Sequence, residues 1–268
     1  MSARREQEAF LSERARERGS CFHCPRYTRC AWSSALLAGA VCGLILLSPV
    51  RALWGAAEEA ERPGEESPRV VRLRGIQFDL RARRVVMDGH IALSAGLVEL
   101  FACVRGTKDY ESVVALDCQP YDLHLGLLAL GLKPGRPVSR QEAGKLPQGP
   151  TVLVRVEWKD AEGRLVSHRA EELILNVKTK KPMEPTGWVF VGSRFVKSDP
   201  EGRELYAAAL TGAVITTYHD PTTVLDNPHP TGGDDTLFVV NESVVPTVGT
   251  PVQIVVEPEK KADADARK

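Results

Sequence analysis

Net charge is the first thing this sequence lacks. Its 35 Lys and Arg are balanced by 35 Asp and Glu. Eight of the basic and four of the acidic residues lie before Leu53, which leaves 27 against 31 beyond it. A chain that holds nucleic acid needs a basic face to replace the counterions of phosphate, and none is present, so DNA and RNA are set aside. Internal repeats and a linker within the chain beyond residue 68 are also missing, which argues for one domain there. No convincing nucleophile–base spacing occurs, so the reading leans away from an enzyme. Long apolar runs are absent except for one.

That one run is Ala31–Val50, twenty residues without a charge. At a helical rise of 1.5 Å per residue it spans about 30 Å, roughly the hydrocarbon thickness of a bilayer. Arg26 and Arg29 stand just before it in an Arg-rich tail, so the positive-inside rule leaves the N-terminus in the cytoplasm. Residues 31–50 are therefore expected to be a transmembrane signal-anchor or a signal peptide cut after Ala52. The expected location is the bacterial inner membrane, with the main domain extracytoplasmic. Residues 51–68 are acidic and poor in large apolar side chains, the composition of a flexible linker, and 259–268 reads as a disordered tail.

Six cysteines are present. Cys21, Cys24 and Cys30 form C-x2-C-x5-C in the cytoplasmic tail, residues 1–30, with His23 between the first two. Three thiolates and an imidazole would suffice for tetrahedral zinc. An iron–sulfur cluster normally wants four cysteines, and no second C-x-x-C supplies them. No cofactor is predicted; zinc or an iron–sulfur cluster at these four residues is the alternative. Cys103 and Cys118 fall in the exported part, near the ends of two strands joined by a loop. Export implies an oxidising compartment, so a disulfide closing that hairpin is expected.

Within 69–258 strand signals dominate. Ile76–Leu80 alternates apolar and polar, and Thr151–Trp158 does so more clearly. Asp88-Gly89 reads as a turn between two short strands. Tyr121–Leu130 is leucine-rich and opens after Pro120, which suits a helix start, with Gly131 placed to end it. His124 on this helix reads as a half-buried, hydrogen-bonded histidine. Tyr206–Tyr218 reads as one long strand bent at Gly212, and Ala170–Leu175 as a second helix. The expected fold is α+β and β-rich: a single antiparallel-sheet domain of about ten strands with one main helix, preceded by one transmembrane helix.

Several stretches together resemble the YdjY domain family of bacterial exported or membrane-associated proteins. They include Gly106-Thr107-Lys108 with Glu111-Ser112, Leu128–Gly135, Trp188–Phe195 and Val245–Val252, and the likeness runs from about Val70 to Pro258. The resemblance implies an extracytoplasmic domain and brings no reaction with it. Some members are described as ferredoxin-like, which implies a redox partner. Cys103 and Cys118 alone are too few to hold a cluster, and the N-terminal cysteines lie outside the likeness.

The loop from Gly106 to Ser112 is the first candidate site. Thr107, Lys108, Glu111 and Ser112 could hold an anion or peptide, while a hydrolase would need Ser112 beside a base. The Gly192–Arg194 turn is the second, with Ser193 and Arg194 able to join a ligand if the two loops meet, and Arg194 able to pair with Glu111. His219, Asp220, Asp226, His229, Asp234 and Asp235 crowd a Pro-rich loop without any coordinating spacing, so it reads as a solvated loop. The expected function is a membrane-tethered binding or interaction module, non-catalytic, partnered by the membrane and by another membrane or exported protein. A ferredoxin-like redox or metal-binding protein is the alternative.

Overall fold

Alternation along the strands builds a closed wall. A computed structural model of the chain describes residues 70–139, 142, 144–197 and 202–259. The strands run β1 (Val70–Leu73), β2 (Ile76–Asp79), β3 (Arg84–Ile91), β4 (Leu100–Val104), β5 (Ser112–Leu116), β6 (Thr151–Lys159) and β7 (Leu165–Arg169). They continue as β8 (Ile174–Asn176), β9 (Trp188–Phe190), β10 (Phe195–Lys197), β11 (Glu204–Tyr206), β12 (Ala213–Thr216), β13 (Leu225–Asp226), β14 (Phe238–Val240) and β15 (Pro251–Pro258). In β6, Val152, Val154, Val156 and Trp158 all turn inward, and β3 does the same with Val85, Met87 and Ile91. The central wall is β3–β15–β6, antiparallel throughout.

Hydrogen-bonded neighbours follow one another as β3, β15, β6, β9, β13, β12, β4 and β5, and β5 pairs back onto β3. That makes a closed eight-stranded barrel, whose interior at this strand number is filled by side chains. Phe101, Trp188, Phe190, Met87 and Ile254 are among those filling it. The β1–β2 hairpin extends the sheet beyond β3, and β7 pairs with the C-terminal half of β6 on the edge that β9 joins.

The expected single antiparallel sheet is thus corrected. Two of the barrel's pairings are parallel, β4 with β5 and β12 with β13. A parallel pair usually needs a crossover of about a dozen residues or more. Here the connections are short, residues 105–111 and 217–224, and return outside the strands as straps. The first strap is the loop that the sequence marks as the first candidate site, and the second opens the Pro-rich loop that the sequence reads as solvated. No helix among the described residues is long and apolar enough to cross a membrane; the expected transmembrane segment, 31–50, lies outside the described residues, as do the linker 51–68 and nearly all of the tail.

Asp88-Gly89 is no turn. Both residues lie inside β3, where Gly89 is level with Val252 on one side and Leu116 on the other. This is the seam at which the barrel closes, and a Cβ on Gly89 would come 2.6 Å from the Ala115 carbonyl oxygen. Glycine is needed because another backbone passes where a side chain would stand.

The expected main helix is α1 (Pro120–Ala129), with Pro120 in its first turn. It lays Leu123, Gly126 and Leu127 on the barrel and leaves Tyr121, Leu125 and Leu128 exposed. The long strand expected over Tyr206–Tyr218 is interrupted by a second helix, α2 (Ala207–Thr211). Three successive alanines favour helix over strand, and Gly212, at φ 76°, takes the left-handed cap that ends it. The second helix expected at Ala170–Leu175 is a single 3-10 turn, Ala170–Leu173, leading into β8.

Candidate functional site

The strap over β4 and β5 spends its own polar groups. The Lys108 ammonium lies 2.7 Å from Glu111 Oε1, and both side chains are largely covered. Desolvation opposes the Lys108 charge, but the hydrogen bond and charge of Glu111 outweigh it and hold the ammonium above its ordinary range. The Ser112 side chain is fully buried, and its hydroxyl donates to the Lys108 carbonyl at 2.8 Å. Thr107 donates to the Val104 carbonyl at 2.6 Å and packs against Gly212. A serine sealed under its own loop and bonded to a carbonyl cannot be activated by a base. The hydrolase reading therefore ends here.

Ser193 is equally occupied. At φ 57° its hydroxyl donates to the Thr222 carbonyl at 2.6 Å and accepts from the Ala208 amide at 3.1 Å. Ser193 thus sits at the start of α2 and Thr107 at its end, so the two predicted loops meet opposite ends of a short helix and share no site. Arg194 is exposed, and its expected partner Glu111 is taken by Lys108. His124 is hydrogen-bonded as expected. The Tyr206 hydroxyl donates to the Gly192 carbonyl at 3.0 Å, so His124 Nδ1, 2.9 Å away, is the donor to it.

The disulfide is corrected too. Cys103 and Cys118 are free, buried thiols. Because β4 and β5 run parallel, Cys103 lies level with Ala115 and buries with Leu100, Ala115 and Ala213, while Cys118 joins the main core past the end of β5. Burial pushes the Cys103 thiol up to about 11 and the Cys118 thiol up to about 12. Neither is a thiolate at neutral pH, so neither should react readily. Alkylation of the native protein, read peptide by peptide, should leave both unmodified, with full labelling of both after denaturation. Native labelling, or an oxidised Cys103–Cys118 peptide pair, would contradict this placement. Cys21, His23, Cys24 and Cys30 lie outside the described residues, and among the described ones no three His, Cys, Asp or Glu are grouped to hold a metal ion.

The concave surface lies elsewhere, around Asp117. Three adjoining cavities of about 640, 600 and 440 Å³ all include this residue. Arg105 holds it in a two-pronged grip, Nε to Oδ1 at 2.8 Å and Nη2 to Oδ2 at 3.1 Å, and Nη2 also reaches His90 Nδ1 at 2.6 Å. The Arg105 side chain is 52% exposed, and a pair so open to water adds little to stability. Its geometry is better suited to presenting charge, since a planar guanidinium recognises carboxylates by such forks. Asp88 and Asp122 face the same groove, with Arg74 opposing them. Sequence reasoning passed over this surface because its residues come from the β1–β2 turn, β3, the loop after β4 and the segment from β5 into α1, with Arg105 and Asp117 themselves 12 positions apart. The one local signal, Asp88-Gly89, has the composition of a turn.

One group of the Pro-rich loop is a pair after all. His219 and Asp226 are 4% and 0% exposed, with Nδ1 3.4 Å from Oδ1. Burial raises the Asp226 carboxyl to about 6, against the lowering effect of His219. His229 instead contacts Thr231 at 2.7 Å and Glu184 at 3.5 Å, and Asp234 binds Thr236 and Lys178.

A family model described as the YdjY domain matches residues 76–257. No curated protein and no solved structure matches the chain.

Proposed function

The chain belongs to the YdjY domain family, and from that premise we propose that it is a non-catalytic binding module whose ligand lies in the groove around Asp117. The groove itself carries this reading. It joins three cavities at one bidentate, water-exposed Arg–Asp pair that stability does not require. Its walls offer both charges, Asp88 and Asp122 against Arg74 and Arg105, which suits a zwitterionic or peptide-like ligand more than a simple anion. The sealed state of Ser112 favours binding over hydrolysis. For location, the reading is the extracytoplasmic side of the bacterial inner membrane, supported by Arg26 and Arg29 ahead of twenty uncharged residues.

The test is an amide-shift titration of the labelled protein with charged amino acids and short peptides. Ligand should perturb residues around Gly75, Gly89, Arg105 and Asp117. Arg105→Ala should weaken binding tenfold or more with the fold intact, the usual effect of truncating one partner of a recognition pair. Perturbations that map away from the groove, or an affinity indifferent to Arg105, would refute the assignment.

A further inference from the structure

The strap that joins β12 to β13 begins the stretch that carries the buried His219–Asp226 pair. Asp226 sits in β13, level with Val189 of β9, so it is part of the barrel wall. Two atoms of the pair have no partner: His219 Nε2 and Asp226 Oδ2, both out of reach of solvent. Buried polar atoms are almost always hydrogen-bonded, and leaving them otherwise costs stability. The neighbours that face the pair are uncharged. Thr216 of β12 places its hydroxyl 3.4 Å from Oδ1, and Trp188 of β9 donates to the Thr216 carbonyl. Asp220 on the strap is the further charge acting on Asp226, and it is of the same sign.

Over the imidazole lies the 3-10 turn Pro230–Gly233. The His219 amide donates to the Gly232 carbonyl at 2.6 Å, and a Cβ on Gly232 would come 2.5 Å from His219 Cε1. The ring thus occupies the space a side chain at 232 would need, and the turn is laid directly on it. Through His229 and Thr231 the same turn walls a cavity of about 270 Å³, floored by Met183 and Phe238.

We propose that His219 and Asp226 form a proton-operated latch, which fastens the Pro230–Gly233 turn to the barrel while the pair holds one proton and loosens it when that proton leaves to solvent. With one proton the pair is neutral overall, whichever of the two carries it. Without it, a neutral imidazole faces a carboxylate whose charge is unbalanced inside the wall, and Asp220 adds repulsion. Opening the turn lets water reach Oδ2 and relieves that charge. The elevated proton affinity of Asp226 has the same sense. The consequence is that the wall this turn gives the cavity of about 270 Å³ is held firm in acidic surroundings and loosened towards neutral pH. This inference is independent of the groove around Asp117, which shares no residue with the latch.

The experiment is amide hydrogen exchange of the full chain from pH 4 to 8, corrected for the intrinsic rate at each pH. Protection of the His219 and Gly232 amides should fall tenfold or more between pH 4 and 7, the interval in which an opened carboxyl is ionised and a latched one is not. In Asp226→Asn the fall should vanish, and in His229→Gln it should persist, since His229 and Glu184 form the other titratable pair at this turn. A protection profile that is flat in the unmutated protein, or a fall that survives in Asp226→Asn, would overturn the latch. If Asp226→Asn does not fold, the carboxyl-carbon shift of Asp226 in the unmutated protein replaces it. A midpoint that departs from that of the protection change is then the refuting result.

Discussion

Trp188→Ala should lower the unfolding free energy by about 3–5 kcal/mol, the usual range for emptying a fully buried aromatic site. Trp188 is 0% exposed and belongs to the short strand β9, which joins β6 to β13 in the barrel wall. Its ring lies 5.6 Å from Phe101 at an interplanar angle of 47°, so the void would open between opposite parts of the barrel. The indole N–H also donates to the Thr216 carbonyl at 2.9 Å. Alanine therefore leaves a cavity and an unpaired buried acceptor together. Trp188→Phe should cost less, because most of the volume stays and the lost hydrogen bond remains the main defect, worth about 1–3 kcal/mol. Urea denaturation of the three proteins measures both values. A loss below about 1 kcal/mol for Trp188→Ala would mean that the wall collapses around the gap and that β9 is not a rigid stave.

The second large effect has the opposite sign. Asp226→Asn should stabilise the protein at pH 7.5 and do little at pH 4. The carboxyl proton affinity is raised on folding, from an ordinary 3.8 to about 6, because burial disfavours the charge. A group raised in this way contributes its full stability below pH 4, where it is protonated in both states, and loses it as pH rises through 6. At 1.36 kcal/mol for each pH unit the change amounts to about 3 kcal/mol at neutral pH. Removing the charge should recover an amount of that order. Thermal unfolding of both proteins between pH 3 and 8 should give curves that meet at the acid end, separate between about pH 4 and 6, and run parallel above that. Asn at least as destabilising at pH 7.5 as at pH 4 would show that the carboxylate is satisfied in the folded state.

The two predictions draw on residues that were legible to different degrees. Trp188, in an apolar run closed by Gly192, reads as core from its position alone, and core it is. His219 and Asp226 are visible in the sequence only as members of a crowded loop of six donors. Nothing in their spacing distinguishes them from Asp234, which the structure places at the surface with Lys178. What separates them is which side of the wall each reaches, and that depends on β13 being a stave of the barrel. The loop at Gly106–Ser112 shows the converse. Its glycine, charges and hydroxyls have the composition of a site, yet Lys108 and Glu111 neutralise each other and Ser112 is bonded within the loop. Composition cannot tell a ligand's partner from a neighbour's.

By itself the sequence determined the local elements with the strongest periodicity: the inward valines of β6, the proline-started helix α1, and membership of the YdjY domain family. Each rests on contacts between residues near in the chain or on patterns that repeat along it, which the order of residues states directly. The tertiary structure alone decided that the sheet closes, that β4–β5 and β12–β13 are parallel, that Cys103 and Cys118 stay apart, and that Arg105 meets Asp117. These depend on which strands become neighbours. Alternation along a strand leaves its pairing direction open, and the choice is made by how the whole set of apolar faces can be buried in one barrel. Gly89 records that choice: a turn by its composition, and by its place in the fold the seam where the barrel shuts.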